Sequence, residues 1–213
     1  MERAISTGVL QVTVNEEAEA AAQADAGSEP AVVWVPREEW IKTQPQVLIG
    51  SCVMLLDSQG RIMLVRYAPG QPMAGDWWLP GGMLDHGEDP CAAARRETYE
   101  EIGVELRSAL RLIGIDHRVD VCGTGPVLDC FFDGGTLAEG TPIRLSPEHD
   151  QYAFVSLDEL QDVQTAADVR TLTALHAAVT SGTAVCMREG EPVQELAGSG
   201  AGPGDRQMRD SAG

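Results

Sequence analysis

Three observations predict an α/β fold in which helices flank a central mixed sheet. Apolar, β-branched runs are bounded by turn residues, two helices carry readable start and stop signals, and the two kinds of segment are interleaved along the chain. A length of 213 residues suits one domain of about 130–160 residues with spare sequence at its ends. The expected organisation is an extension over 1–29 without stable structure, a domain over 30–185 and a structureless tail over 186–213.

The elements follow in order. Residues 1–29 are rich in Ala and Glu, and "EEAEAAAQA" is at best a marginal helix with no apolar stripe to dock. "VLIGSCVMLLD" (47–57) and "RIMLVRY" (61–67) read as a strand pair around the turn "SQG", and a third strand ends at "WWLP". A helix opens at Asp89-Pro90, an N-cap residue followed by proline at the first helical position, and stops at Gly103. Strands are expected at 110–120, 126–135 and 151–160. The second helix, "AADVRTLTALHAAVTSG", sets Val169, Leu172, Leu175 and Val179 on one stripe and ends near Gly182. The last stretch, "REGEPVQELAGSGAGPGDRQMRDSAG", has no periodicity.

Composition excludes some functions. With 33 acidic and 15 basic side chains, a formal charge of -18 argues against a nucleic acid polymer as partner, because that binding rests on Lys and Arg neutralising phosphates. No long apolar run calls for a membrane, and the N-terminus lacks an export signal, so a cytoplasmic protein is expected. Five cysteines without a Cys-x-x-Cys pair indicate reduced, mostly buried thiols, Cys91 among them. The composition is compatible with a homodimer.

The chemistry concentrates in "GGMLDHGEDPCAAARRETYEEIGVEL" (81–106). On a helix over about 90–102, Glu97, Glu100 and Glu101 project in nearly one direction. An acidic face is ordinarily a solvated one, and Arg95 and Arg96 lie nearby to partner it. Acids near a helix C-terminus, however, each cost about 0.3–1 kcal/mol against the macrodipole, so the cluster lacks a local reason. A hard divalent cation supplies one, since converging carboxylates are what Mg²⁺ or Mn²⁺ takes as ligands.

The spacing is specific: Gly82, five residues, Glu88, seven residues, then Arg96-Glu97-Thr98-Tyr99-Glu100-Glu101-Ile102-Gly103-Val104. This resembles the Nudix box, the signature of the Nudix hydrolase family, with every charged and glycine position matched and Thr98 at a slot usually apolar. The resemblance implies a Nudix-type α/β/α sandwich and a Mg²⁺-dependent pyrophosphohydrolase. It implies that Glu100 and Glu101 hold the metal, that Glu97 ligates it directly or through water, and that the carbonyl of Gly81 completes the set. Arg96 and Glu88 would orient the glutamates and tie loop to helix.

A carboxylate must take a proton from the attacking water. Glu97 is one candidate base; Glu148, in "LSPEHDQYAF", is another, because many family members use a glutamate from a later loop. His149 beside it reads as a surface histidine. Arg66 could reach a substrate phosphate, and Tyr67, Trp77 and Trp78 offer faces for a base, although adjacent tryptophans on a strand point to opposite sides and one of them should pack. The leading substrate is a nucleoside di- or triphosphate or a nucleotide-sugar. The rivals are a prenyl diphosphate hydrolase or isomerase on the same fold and a non-catalytic ligand sensor.

Overall fold

The computed structural model describes residues 34–193, apart from the side chains of 166 and 167. The expected extension over 1–29, its marginal helix, and the tail from 194 onward lie outside the described residues. The chain divides into two compact units, Met1–Pro45 and Gln46–Gly213, so the domain boundary falls after Pro45 and not at residue 30. In the first unit a short helix, α1 (Arg37–Lys42), starts after Pro36, carries Glu38 and Glu39 in its first turn and Lys42 in its last, and buries no side chain.

The second unit is built on a continuous sheet. Strands β1 (Leu48–Leu56) and β2 (Ile62–Tyr67) flank a turn in which Asp57 accepts hydrogen bonds from the amides of Gln59 and Arg61. The short strands β3 (Trp77–Trp78) and β4 (Gly81–Met83) follow, then helix α2 (Pro90–Ile102). Strands β5 (Arg111–Arg118), β6 (Val127–Thr136) and β7 (His149–Val155) lead to α3 (Leu160–Val163) and α4 (Ala166–Ser181). The order is β3-β2-β1-β6-β5, with β4 paired to β1 and β7 to β2. The β1–β6 pair is parallel and the other pairs of this set are antiparallel, so the sheet is mixed.

Alternation along β1 and β6 explains the layers. Cys52, Met54 and Phe131 join Leu172 and Leu175 of α4 in one core, while Val53, Leu55, Cys130 and Phe132 join Ala94 and Ile102 of α2 in another. Each fully buried Leu or Ile in these cores contributes roughly 1.5–3 kcal/mol. The result is an α/β/α sandwich. Its two long helices end as their sequences predict. Asp89 caps α2 by accepting from the Ala92 amide, and Gly103 closes it at φ 73°, a conformation only glycine adopts cheaply.

One expectation needs correction. The sheet continues past residue 185 into β8 (Val185–Arg188) and β9 (Glu191–Pro192), where the sequence suggests the structureless tail. β8 adds in parallel to β5, and Met187 is buried in the α4-side core. Strands this short carry too few residues to show a period. Past the "WWLP" strand, "GGM" also forms a strand. It pairs with β1 from Gly50 to Cys52, where a larger residue would not fit.

Candidate active site

Helix α2 and strand β4 bring the acidic cluster onto the glycine pair. Glu101 is 4% exposed, and its Oε2 accepts the Gly81 amide at 2.8 Å. A Cβ on Gly81, whose φ is +154°, would collide with the Ser51 carbonyl oxygen, and one on Gly82 would stand 2.5 Å from Glu97 Oε1. Glycine at 81 lets β4 lie close against the β1 backbone, and glycine at 82 leaves room for the Glu97 carboxylate of α2. Thr98, at the usually apolar slot, is fully buried and donates its hydroxyl to the Ala94 carbonyl at 2.7 Å, so it packs with no unmet polar group.

Arg96 organises the exposed side of the cluster. Its guanidinium donates to Glu88 Oε1 and Oε2, each at 2.9 Å, to Glu97 Oε1 at 2.8 Å, to Glu100 Oε2 at 3.1 Å and to the Met83 carbonyl at 3.1 Å. These bonds fasten the loop before α2 to the helix, and those from Arg96 hold Glu88 down to about pKa 2. Glu101 lies outside this arginine's hydrogen bonds. Burial, with the charges of Glu97, Glu148 and Glu100 added, pushes its pKa up to about 8 against the lowering effect of the Gly81 amide. Glu97 is also raised, by burial first, although Arg96 opposes it. Carboxylate oxygens are the hard ligands that Mg²⁺ or Mn²⁺ takes, but among the described residues no three His, Cys, Asp or Glu side chains stand close enough together to form a ready-made metal site.

The loop before β7 is tied to the same helix end. The amides of Arg144 and Ser146 donate to the carbonyls of Ile102 and Glu101, each at 2.9 Å, satisfying groups that a helix C-terminus leaves open. This carries Glu148, which is exposed, close enough for its charge to act on Glu97 and Glu101. His149 is not at the surface as its loop position suggests. It is 4% exposed, its ring lies 5.1 Å from that of Tyr67, and its Nε2 is 3.8 Å from Glu101 Oε1. A register shift between Arg66 and Tyr67, opposite the start of β7, accompanies this inward placement.

Beside the glycine pair opens a cleft of about 200 Å³, whose lining includes Gly81, Gly82, Met83, Gln164, Thr165 and Asp168. Tyr67, Trp77 and Trp78 also line it. Trp78 does not offer a free stacking face: it is 9% exposed, the Arg118 guanidinium sits 4.9 Å over its ring, and Phe131 meets it edge-on. Arg66 is absent from the lining. It forms a bidentate pair with Asp150, 2.8 Å on both arms, and lies beside Trp77, because β2 and β7 run antiparallel there. Sequence reading misses Asp129 and Arg118, which line the cleft from β6 and β5. The available signal is charge inside apolar strands, in "IDHRVD" and "VLDC".

Known proteins share this fold. The family model described as NUDIX domain matches residues 46–175. An asymmetrical bis(5'-nucleosyl)-tetraphosphatase of Rattus norvegicus is 33% identical over 84 residues, 39% of this chain and 57% of that protein. An RNA pyrophosphohydrolase of Bradyrhizobium diazoefficiens is 44% identical over 63 residues, 28% of this chain and 36% of that one. The chain thus spans between about a third and three fifths of the length of these curated relatives. Among solved structures, a MutT NUDIX hydrolase from Burkholderia pseudomallei superposes with a TM-score of 0.51 at 28% identity, over 62% of this chain and 97% of that one.

Proposed function

The chain belongs to the Nudix family, and on that premise we propose that it is a Mg²⁺-dependent pyrophosphohydrolase. It cleaves a diphosphate linkage in a nucleoside di- or triphosphate or a nucleotide-sugar by attack of water. The observation that carries this reading is Glu101: a buried carboxylate that accepts the Gly81 amide, feels the charges of neighbouring glutamates and, among the described residues, pairs with no arginine.

Glu101, Glu100 and Glu97, with the carbonyl of Gly81, would hold the cation. When bound there, Mg²⁺ withdraws charge from the diphosphate and acidifies the attacking water. Arg96 sets the directions of Glu97 and Glu100 through its hydrogen bonds, and Glu88 anchors Arg96 from the loop. Glu148 takes the water's proton. It is exposed and lies within electrostatic reach of the cluster, whereas Glu97 is held by Arg96 and packed on Gly82. The cleft receives the rest of the substrate.

A panel of nucleoside triphosphates, nucleotide-sugars, dinucleoside tetraphosphates, 5'-triphosphorylated RNA and prenyl diphosphates, assayed with Mg²⁺ by product identity, tests the reading. Turnover is expected on the first two classes, and Glu101→Gln should abolish it. A Glu101→Gln variant as fast as wild type would remove the metal-site assignment. Preference for RNA or a prenyl chain would overturn the substrate class, and tight binding without turnover would favour a sensor.

A further inference from the structure

The cleft contains side chains for which hydrolysis itself has no use. Asp129 on β6 pairs in register with Gly50 of β1 on one side and Asp116 of β5 on the other. A Cβ on Gly50 would fall on Asp129 Oδ1, so glycine is what leaves room for this carboxylate beside β1. Arg118 stands over it: Nε is 3.5 Å from Asp129 Oδ2 and 3.3 Å from Asp116 Oδ2, while an Nη is 3.9 Å from Asp168 Oδ1.

The acids around this single guanidinium are not equally provided for. Asp116 is wholly buried and takes the Gly190 amide on both oxygens, at 3.2 and 3.0 Å. Asp168 accepts the Thr165 hydroxyl at 2.6 Å. Asp129, with its side chain 13% exposed, accepts no hydrogen bond among the described residues, and Arg118 Nε is buried without a hydrogen-bond partner. Buried polar groups are almost always satisfied, and one left open in a cleft points to something that enters.

The chemistry of the opening narrows what enters. Tyr67, Trp77, Met73 and Val163 give it apolar, partly flat walls, which suit a planar heterocycle. A carboxylate steadied by an arginine presents two acceptors in one plane, and its best complement is two adjacent N–H donors in one plane. Among the common nucleobases, guanine has that edge, with N1–H beside the N2 amino group. Adenine and cytosine set an amino group beside a ring-nitrogen lone pair, which would face the second carboxylate oxygen, and uracil sets one N–H between two carbonyls.

We propose that Asp129, held by Arg118, is the specificity-determining residue of this cleft and binds a guanine base through its N1–H and N2 amino edge. This deepens the nucleotide-hydrolase reading and rests on it for the placement of the phosphates at the acidic helix.

Nucleoside 5'-monophosphates test it without any diphosphate to cleave. By titration calorimetry of the full chain in EDTA, guanosine monophosphate should bind at least about tenfold more tightly than the adenosine, cytidine or uridine compounds, the worth of one bidentate base contact. Asp129→Asn, which replaces one acceptor by a donor, should lose that preference and shift it toward adenosine monophosphate. Gly50→Ala, which leaves Asp129 in the chain but crowds its Oδ1, should lose it too, and circular dichroism would check that each variant folds. Equal affinities in the wild type, or a guanosine preference that survives in folded Asp129→Asn and Gly50→Ala, would overturn the proposal. A guanosine preference in a protein that hydrolyses no diphosphate would sink the hydrolase reading alone. Mg²⁺-dependent hydrolysis of all nucleotides with equal kcat/KM and equal affinities would sink the base assignment alone.

Discussion

Two arginines in this domain each gather several carboxylates, and they do so in different ways. Arg96 takes its partners Glu88, Glu97 and Glu100 from one short run of sequence and meets each with hydrogen-bond geometry. Arg118 faces Asp116, Asp129 and Asp168, which come from two strands and a helix, at 3.3 to 3.9 Å. The first arrangement is nearly complete and serves as scaffold. It leaves Glu101 outside, and that carboxylate is the one driven to about pKa 8 by burial. The second arrangement has more acceptors than donors and is open to a cleft. In both places the candidate for ligand contact is a carboxylate that accepts no arginine hydrogen bond among the described residues, Glu101 in the first and Asp129 in the second.

The largest test of this contrast is Glu101→Gln, which should move activity and stability in opposite directions. If Glu101 holds the metal as proposed, its loss should lower kcat by about a thousandfold or more. In buffer without divalent cations the same variant should melt roughly 2–8 °C higher near neutral pH, because a desolvated charge is removed while an oxygen remains for the Gly81 amide. A variant that is both inactive and less stable would mean that Glu101 is structural. Next comes Glu148→Gln, expected to lower kcat by about 100-fold with little change in melting temperature, the signature of a general base in an exposed position. Equal activity would return the base to Glu97.

The cleft carboxylate has its own pH signature. Burial lifts Asp129 to about 6, with Asp116 adding to the rise and Arg118 opposing it. Its native pKa is above its unfolded value, so the native state binds more protons between about pH 4 and 6 and wild-type stability falls as pH rises through that window. Asp129→Asn removes this slope. Its melting temperature relative to wild type should therefore be higher at pH 7.5 than at pH 4, by the equivalent of about 1–2 kcal/mol. An unchanged difference across that range would mean that Asp129 is solvated. The smallest effect is expected from Arg66→Ala, whose side chain is committed to Asp150 away from the cleft, and kcat/KM should stay within about twofold. A loss beyond tenfold would restore Arg66 as a phosphate contact.

How much could be read beforehand follows the same contrast. The acidic site is legible because its residues lie on one helix and one adjoining loop, where spacing fixes direction: Glu97, Glu100 and Glu101 share a face by helical period, and Asp89-Pro90 and Gly103 mark the ends. The long strands are legible as apolar runs bounded by turn residues. The cleft is not, because Asp129 and Arg118 meet through a strand pairing that no local pattern encodes. Trp78 lines the cleft, but that Arg118 covers its ring is visible only in the folded chain. His149 is buried against Tyr67, beside a register shift in the β2–β7 pair that its loop position does not announce.

The amides of Arg144 and Ser146 that close the end of α2 bear on the protein's local opening. They belong to the segment that delivers Glu148, so fraying of the last turn of α2 and displacement of that segment are one event. In hydrogen exchange these two amides should open with a shared, sub-global free energy, below that of the buried amides of β1. Each such opening would withdraw Glu148, the proposed proton acceptor, and expose Glu101 together. Heat should therefore silence the proposed activity before it unfolds the domain.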